Sequence, residues 1–224
     1  MRKLFLHLQR FFQPSKTVPT VPWTATSPWS LNLTRLSILS FGLFLFGIGE
    51  SLLIVSNIGN SPWTVLSQGL STQLDLSVGH STFLVSLFVL LLWIPLREKP
   101  GFGTLANILI IALAIDLGIF LFPIQKHFLL EILYVLLGIA LVGFGSALYI
   151  TCGLGSGPRD GWMTALHRRT GIPVSRVRLG IEVLVLVTGW AMGGVIGLGT
   201  ALFAALIGSS VAISFGVVAR ITAQ

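Results

Sequence analysis

The chain has 224 residues, of which 54% are hydrophobic and 9% are charged, and its formal net charge is +7. Soluble domains carry about 25% charged residues, so this composition excludes an ordinary water-soluble globule. The basic residues fall in short gaps between apolar runs rather than along one face, which argues against a nucleic-acid-binding protein.

The first 34 residues precede the apolar runs and are predicted to form a cytoplasmic basic segment followed by a linker. Polar and basic residues interrupt its short apolar stretch, so we do not predict a cleaved signal peptide. Two interpretations of its start remain open: a helix lying on the inner leaflet, and a disordered basic tail. The linker is rich in Pro and Thr, and Trp23 and Trp29 are predicted to contact the membrane interface.

Six apolar runs are long enough to cross the roughly 30 Å hydrocarbon region of a bilayer as helices. They are predicted at 36–56, 79–96, 103–122, 130–151, 178–196 and 199–219. If the N-terminus is cytoplasmic, all but one of the 14 Lys and Arg residues face the cytoplasm, the exception being Lys126. The positive-inside rule therefore predicts a multi-pass membrane protein with both termini in the cytoplasm.

Two stretches of the chain share a Gly-Pro phrase at a spacing of 96 residues, "NIGNSPWTVL" (57–66) and "GLGSGPRDGW" (153–162). The same spacing, without a gap, aligns "GFGT" (101–104) with "GLGT" (197–200). Such periodicity indicates a duplication. Each copy holds three predicted spans, and an odd number requires the second copy to enter the membrane from the opposite face.

The predicted fold class is therefore an all-α multi-pass membrane protein with six transmembrane helices arranged as two inverted three-helix repeats. Residues 1–34 form the N-terminal segment, 35–123 the first repeat and 124–224 the second. Inverted repeats are a recurring architecture of secondary transporters, in which the substrate site lies near mid-membrane between the halves.

Each repeat is also predicted to contain a half-helix after its first span, at about 62–74 and 158–170. Ser61 can cap the first half-helix with Pro62 at its first position, and Gly157 and Pro158 repeat that arrangement. Thirteen residues reach about 20 Å, too short to span a bilayer. Two interpretations remain open: connectors between spans, and helices whose positive N-termini line a substrate path.

Three acidic residues fall within predicted spans, where a charge costs at least about 2.5 kcal/mol. Asp116 has no cation nearby in the sequence, so it is either a proton- or cation-binding group of a pathway, which Asn107 could share, or a hydrogen-bonded structural acid. Glu182 follows Arg178 by one helical turn and is predicted to form a structural ion pair with it. Glu50 neighbours two glycines where helices can pack closely.

The Arg159–Asp160 pair begins the second half-helix, where Asp160 suits the helix dipole and Arg159 does not, so Arg159 is expected to have another partner. The Arg-rich loop that follows is predicted to set the topology and to meet anionic lipid. Cys152 has no second thiol, which excludes an intramolecular disulfide and a CxxC site, and is predicted to be buried and inert.

Four segments of the sequence resemble the YczE-type integral membrane proteins of bacteria, which are related to the YitT group. They are "SPWTVLSQGL", "LLWIPLREKPGFGTLANILIIALAIDLG", "GLGSGPRDGWMTALHRRTG" and "RLGIEVLVLVTGWAMGGVIGLGTALFAALIG". The resemblance covers about residues 38 to 216 and implies a multi-pass protein of the bacterial inner membrane. The motif positions matched are Ser61, Pro62, Asp116, Gly157, Pro158, Arg159, Asp160, Gly161, Glu182, Gly199 and Thr200. Thr64 departs from the acid expected there, and Glu50 is atypical of the family.

The leading functional hypothesis is a small secondary transporter or exporter of a small metabolite or ion. Its hypothetical pathway residues are Asp116, Asn107, Ser61, Pro62, Gly157, Pro158, Arg159 and Asp160. The alternative is a membrane scaffold or regulator that holds a cytoplasmic partner through the Arg-rich loop, and a homo-oligomer stays open. No HExxH, GxSxG or Walker motif occurs, so an enzyme, a metal site and a cofactor are not predicted.

Overall fold

The computed structural model describes residues 13–15 and 17–222, which form nine helices and, within those ranges, no strand. The helices are α1 (Leu33–Ser56), α2 (Pro62–Leu74), α3 (Val78–Leu91), α4 (Trp93–Leu96), α5 (Phe102–Leu121), α6 (Phe128–Thr151), α7 (Pro158–Thr170), α8 (Val174–Ala191) and α9 (Leu198–Thr222). The all-α fold class is thus confirmed. The start of the chain, for which the sequence leaves both an inner-leaflet helix and a disordered basic tail open, lies outside the described residues.

Five helical segments of the described chain are long and apolar enough to cross a membrane. They are Leu33–Ser56, Val78–Leu96, Phe102–Leu121, Phe128–Thr151 and Leu198–Thr222. They confirm a multi-pass membrane protein and correspond to the first four and the last of the six predicted spans. The remaining predicted span, 178–196, overlaps α8, whose 18 residues include three charged side chains, Arg176, Arg178 and Glu182.

The two half-helices begin and end where the sequence predicts them, at Pro62–Leu74 and Pro158–Thr170. Each has proline at its first turn, where the missing N–H leaves no intrahelical bond unmade. Ser61 occupies the N-cap of α2 as predicted, but its side chain makes no capping bond. Its hydroxyl oxygen instead lies 2.8 Å from the Glu50 carboxyl of α1, within hydrogen-bonding distance.

Helices α1 and α6 form the centre of the molecule and cross in antiparallel orientation. Gly42 lies against Gly145, and Gly49 lies against Gly138. A β-carbon on Gly49 would lie 2.7 Å from the Gly138 carbonyl oxygen, and one on Gly138 would lie 2.7 Å from that of Gly49. Glycine at both positions therefore lets the two backbones touch, a common basis of helix contact in membranes.

Each Gly-x-Gly-Thr box packs on the Gly-Pro loop of the other half of the chain. At the start of α5, the Gly103 N–H donates to Leu154 O at 2.8 Å. At the start of α9, the Gly199 N–H donates to Ile58 O, also at 2.8 Å. The adjoining loop residues Gly59 (φ 120°) and Gly155 (φ 114°) adopt backbone angles that side chains other than hydrogen disfavour.

The peripheral helices are packed unequally. In the first half, α3 packs along α5, whereas in the second half α8 lies apart from α9. Half-helix α2 packs on α8, and α7 packs on α3. Ser15, Thr17 and Val18 border the gap between α8 and α9, where the Ser15 N–H donates to Ala212 O at 2.8 Å.

The linker before α1 packs on the ends of α5 and α6. The Trp23 indole N–H donates to Thr151 Oγ1 at 3.2 Å, and the Arg35 Nε–H donates to Trp23 O at 2.9 Å. Trp29 is 55% exposed and meets the Phe102 ring edge-on, with the ring centroids 6.4 Å apart. The exposed Trp29 indole is therefore free to lie in a membrane interface, whereas the Trp23 indole packs against the end of α6.

Candidate functional site

The two half-helices aim their first turns at a cavity of about 180 Å³ between the halves of the chain. Ser61, Pro62 and Trp63 line it from the start of α2, and 157–159 line it from the start of α7. The other polar or charged lining residues are Glu50, Asn107, Ser146, Tyr149, Asp160, Arg178 and Glu182. An apolar wall that includes residues of α9 completes the cavity, which therefore has a polar and an apolar side.

The Glu50 carboxyl lies at the start of α2, although it belongs to α1. It is 2% exposed, and its Oε2 lies 2.8 Å from the Ser61 hydroxyl oxygen and 2.7 Å from that of Thr64. The two hydroxyl oxygens are 3.0 Å apart. Three buried oxygens therefore meet within hydrogen-bonding distance of one another. Within the described residues, no Lys, Arg or His nitrogen forms an ion pair with this carboxyl at 4.0 Å or less.

Arg159 finds the additional partner that the sequence predicts for it, and that partner is an aromatic ring. Its guanidinium carbon lies over Trp63, 5.0 Å from the ring centroid. Trp63 is only 5% exposed, so this cation–π contact is largely shielded from water, which strengthens it. The next residue, Asp160, accepts from the Tyr149 hydroxyl of α6 at 3.1 Å. The start of α7 is thereby tied to α2 and to α6.

Most residues that the sequence assigns to a pathway line this one cavity. They are Asn107, Ser61, Pro62, Gly157, Pro158, Arg159 and Asp160. Arg178 and Glu182 lie on the same cavity, and their side chains form an ion pair with Arg178 Nε 2.7 Å from Glu182 Oε1. The sequence spacing of one helical turn predicts this pair.

Asp116 is the exception, because the structure does not bring it to the cavity. It accepts from Ser77 Oγ at 2.6 Å and from the Gly79 N–H at 2.7 Å, at the first turn of α3. His80 Nδ1 lies 3.5 Å from the same carboxylate, whose side chain is 31% exposed. The proton-coupling interpretation of Asp116 therefore has no support in its position. The carboxylate instead holds the end of α5 against the beginning of α3.

Glu50, Trp63 and Tyr149 line the cavity, although the sequence does not assign them to the pathway. The sequence marks Glu50 as an intramembrane acid, but its spacing from Ser61 and Thr64 gives no sign of contact because a loop separates α1 from α2. Trp63 carried a usable signal, since it occupies the position that matches Arg159 at the 96-residue spacing. Tyr149, within an apolar run, carried none.

Within the described residues, no group of three or more His, Cys, Asp and Glu side chains is arranged to hold a metal ion. Cys152 is fully buried, and its thiol donates to Leu148 O at 3.3 Å. Burial raises the pKa of the Cys152 thiol to about 12, against the weaker opposite effect of the Arg35 charge. A thiol in this state is a poor nucleophile and a poor metal ligand.

Comparison with known proteins identifies the family to which the chain belongs. Residues 33–215 match the family described as "Family of unknown function (DUF6198)". An "Uncharacterized protein" of Haemophilus influenzae is 42% identical over 206 residues, or 92% of this chain and 94% of that protein. "Uncharacterized membrane protein YczE" of Bacillus subtilis is 35% identical over 181 residues, or 80% of this chain and 81% of that protein.

A second Bacillus subtilis relative, "Uncharacterized protein YyaS", is 31% identical over 183 residues, or 80% of this chain and 91% of that protein. No solved structure matches the chain with significance. The resemblance to YczE-type proteins predicted from the Gly-Pro and Gly-x-Gly-Thr motifs is confirmed. The chain is a membrane protein of the YczE type and belongs to the family DUF6198, whose function is unknown.

Proposed function

We propose that this protein is a small secondary transporter that moves a small metabolite or ion across the bacterial inner membrane. The observation that carries the proposal is the cavity at which both half-helices begin, with Arg159 of one half over Trp63 of the other. Transporter substrate sites are typically built at such half-helix starts, between repeats, near mid-membrane. No chemical step is needed at this site, so the protein is proposed not to be an enzyme.

The proposal includes two inverted repeats, and the packing of the glycines supports it. Gly42 and Gly138 are 96 residues apart, and so are Gly49 and Gly145. In the structure, Gly42 contacts Gly145, the counterpart of Gly49, and Gly49 contacts Gly138, the counterpart of Gly42. Such an exchange is expected for two copies related by a two-fold axis. The reciprocal hydrogen bonds of Gly103 and Gly199 follow the same spacing.

The proposed topology has six membrane crossings, five of which are the long apolar helical segments described above. The sixth must then be α8, although α8 contains three charged residues. The ion pair of Arg178 with Glu182 neutralises two of them, which lowers the cost of placing them at the membrane boundary. The third, Arg176, is exposed near the start of α8, beside the Arg-rich loop. With the loop in the cytoplasm, both termini are cytoplasmic too.

Cysteine labelling tests this topology, and Cys152 does not interfere because it is buried. Lys126→Cys and Thr170→Cys change exposed residues on the two sides of the proposed membrane. In intact cells, a membrane-impermeant maleimide is expected to label the first variant and to reach the second only after the cells are opened. Labelling of the Thr170→Cys variant in intact cells would contradict the inverted arrangement.

Transport itself is tested with purified protein reconstituted in liposomes and adsorbed on a solid-supported membrane. Jumps of sodium, potassium, chloride, phosphate and individual amino acids are applied, and the resulting transient currents are recorded. A solute that gives a current should lose most of it in Arg159→Ala. The matched control is Arg168→Ala, because Arg168 pairs with Glu98 at 2.7 Å outside the cavity. Equal currents in the two variants would contradict a pathway through this cavity, and the absence of a current from every solute of the panel would count against transport.

A second candidate function is a scaffold or regulator, and one observation favours it. The turn between α7 and α8 is exposed from Arg168 to Arg176, and Arg169 lies between them. This basic surface could bind an acidic cytoplasmic protein or anionic lipid. Arg169→Ser/Arg176→Ser removes two of these charges without touching the cavity. A cell phenotype that depends on this double variant but is insensitive to Arg159→Ala would favour the scaffold.

A further inference from the structure

We propose that Glu50 is a proton-binding site of the cavity, which holds a proton in the conformation described here and exchanges it with cavity water. The proton binds at Oε2, between the hydroxyls of Ser61 and Thr64. A role of this proton in driving transport rests on the proposed function above, whereas its presence on Glu50 does not.

The first argument is a count of hydrogens. The Glu50, Ser61 and Thr64 oxygens make three contacts, of 2.7, 2.8 and 3.0 Å. Each hydroxyl carries one hydrogen, so an ionised carboxylate leaves one of the three contacts without a donor. A protonated Glu50 supplies the third hydrogen. The hydrogen bonds then run in a ring, from Glu50 to Ser61, from Ser61 to Thr64 and from Thr64 back to Glu50.

The second argument is the surroundings of the carboxyl. Glu50 is 2% exposed, and an unpaired buried carboxylate is costly, so protonation relieves it. The titratable or charged cavity residues that face it from other helices are Tyr149 of α6, Arg159 and Asp160 of α7, and Arg178 and Glu182 of α8. Helices α2, α5 and α9 contribute none to the cavity lining. Arg178 is paired with Glu182, and Arg159 lies over Trp63, so neither cation contacts Glu50 at ion-pair distance. The Arg159 charge acts on Glu50 through space, and this effect is smaller than the cost of burial.

The third argument comes from comparing the two halves of the chain. At the 96-residue spacing, Glu50 of α1 matches Ser146 of α6, and Thr64 of α2 matches Asp160 of α7. One half thus has its acid on the long helix and a hydroxyl on the half-helix, and the other half has the reverse. All four residues lie in or next to the cavity. At these matched positions, each half therefore supplies one carboxyl and one hydroxyl to the same space.

Release of the proton needs no other reactant. The Glu50 O–H bond breaks, the proton passes to a cavity water, and the bonding pair stays on Oε2. Ser61 then turns its O–H from Thr64 to Glu50, so the carboxylate accepts from both hydroxyls at distances that the structure already has. Approach of the Arg159 charge would favour release, since an opposite charge stabilises the carboxylate.

Infrared difference spectroscopy of the full-length protein in lipid tests this site. Spectra recorded at stepped pH are expected to contain the C=O band of a protonated carboxylic acid that disappears as the pH rises. Glu50→Gln should abolish that band. The matched control is Glu182→Gln, which removes an ion-paired carboxyl of the same cavity and should leave the band in place.

Two further variants keep the test decisive if Glu50→Gln does not fold. Thr64→Val retains the carboxyl but removes one hydroxyl of the ring, and it should shift the frequency of the band. Glu50→Ser/Thr64→Asp gives the first half the arrangement of the second, and it should restore a titrating band lost in Glu50→Gln. A band that survives in Glu50→Gln, is absent from the wild type, or does not change with pH overturns the proposal. Failure of the current assay alone overturns transport and leaves this result standing.

Discussion

The Arg159 guanidinium lies 5.0 Å from the centroid of the Trp63 ring, and these residues hold matching positions in the two half-helices, 96 residues apart. Two counterparts that touch each other must lie at the axis that relates their halves. Under the proposed inverted arrangement, this contact marks the centre of the protein. It also joins α2 to α7 across the cavity.

Weakening this contact should destabilise the protein by a measurable amount. Trp63→Phe keeps an aromatic ring with a weaker quadrupole, and Trp63→Leu removes the ring. Since a shielded cation–π contact is worth about 2 kcal/mol, Leu is expected to lower the melting temperature in detergent more than Phe. The control is Trp190→Phe, because Trp190 is 63% exposed. If Trp63→Leu lowers the melting temperature of the Arg159→Ala variant as much as that of the wild type, the two residues do not interact.

The crossing of α1 and α6 should not tolerate a methyl group. Gly49→Ala places a β-carbon 2.7 Å from the Gly138 carbonyl oxygen, so the helices must move apart, at about 1–3 kcal/mol. Gly208→Ala in α9 meets nothing within 4 Å and should be neutral or stabilising, since Ala favours helix. Thermal unfolding of the two variants in one detergent compares them directly. Equal melting temperatures would mean that α1 and α6 are not in contact here.

Asp116 should matter for stability and not for solute-evoked currents. Asp116→Asn weakens the bonds to Ser77 Oγ and the Gly79 N–H, and charge-assisted bonds of this kind are worth about 1.5–3 kcal/mol. We therefore expect a lower melting temperature with currents retained per folded molecule. The control is Asp75→Asn, at an exposed position after α2. Loss of current in a fully folded Asp116→Asn protein would return Asp116 to the pathway.

Cys152 should resist alkylation in the folded protein. With its pKa raised to about 12 by burial, about one thiol in 10,000 is ionised at pH 8, and the folded-state rate should rise only as the pH approaches 12. Mass spectrometry after treatment with N-ethylmaleimide should find no adduct until detergent denatures the protein. Thr170→Cys provides the reactive control on an exposed residue. Rapid modification of native Cys152 at pH 8 would contradict the burial described here.

Apolar length and proline position, which are local properties, made the helices predictable from the sequence. The bounds 62–74 and 158–170 follow from proline at the first turn and from chain-reversing residues at the end. The convergence of these helix starts on one cavity agrees with one of the two interpretations that the sequence leaves open for them. The identity of the buried acid was not predictable, because it depends on which helix end lies at which depth. Asp116 lies at the centre of its apolar run, where the sequence shows no partner for it. In the structure, the first turn of α3 lies beside it and donates the Gly79 N–H to its carboxylate.

The bonds of Gly103 to Leu154 and of Gly199 to Ile58 have a consequence for the history of the chain. The Gly-x-Gly-Thr box of each half packs on the Gly-Pro loop of the other half. A single polypeptide of half this length would therefore leave its box and its loop without a partner. Two such short polypeptides, lying head to tail, would satisfy each other completely. Under the proposed inverted arrangement, the ancestral gene product before fusion is thus expected to have been an antiparallel homodimer that inserted into the membrane in both directions.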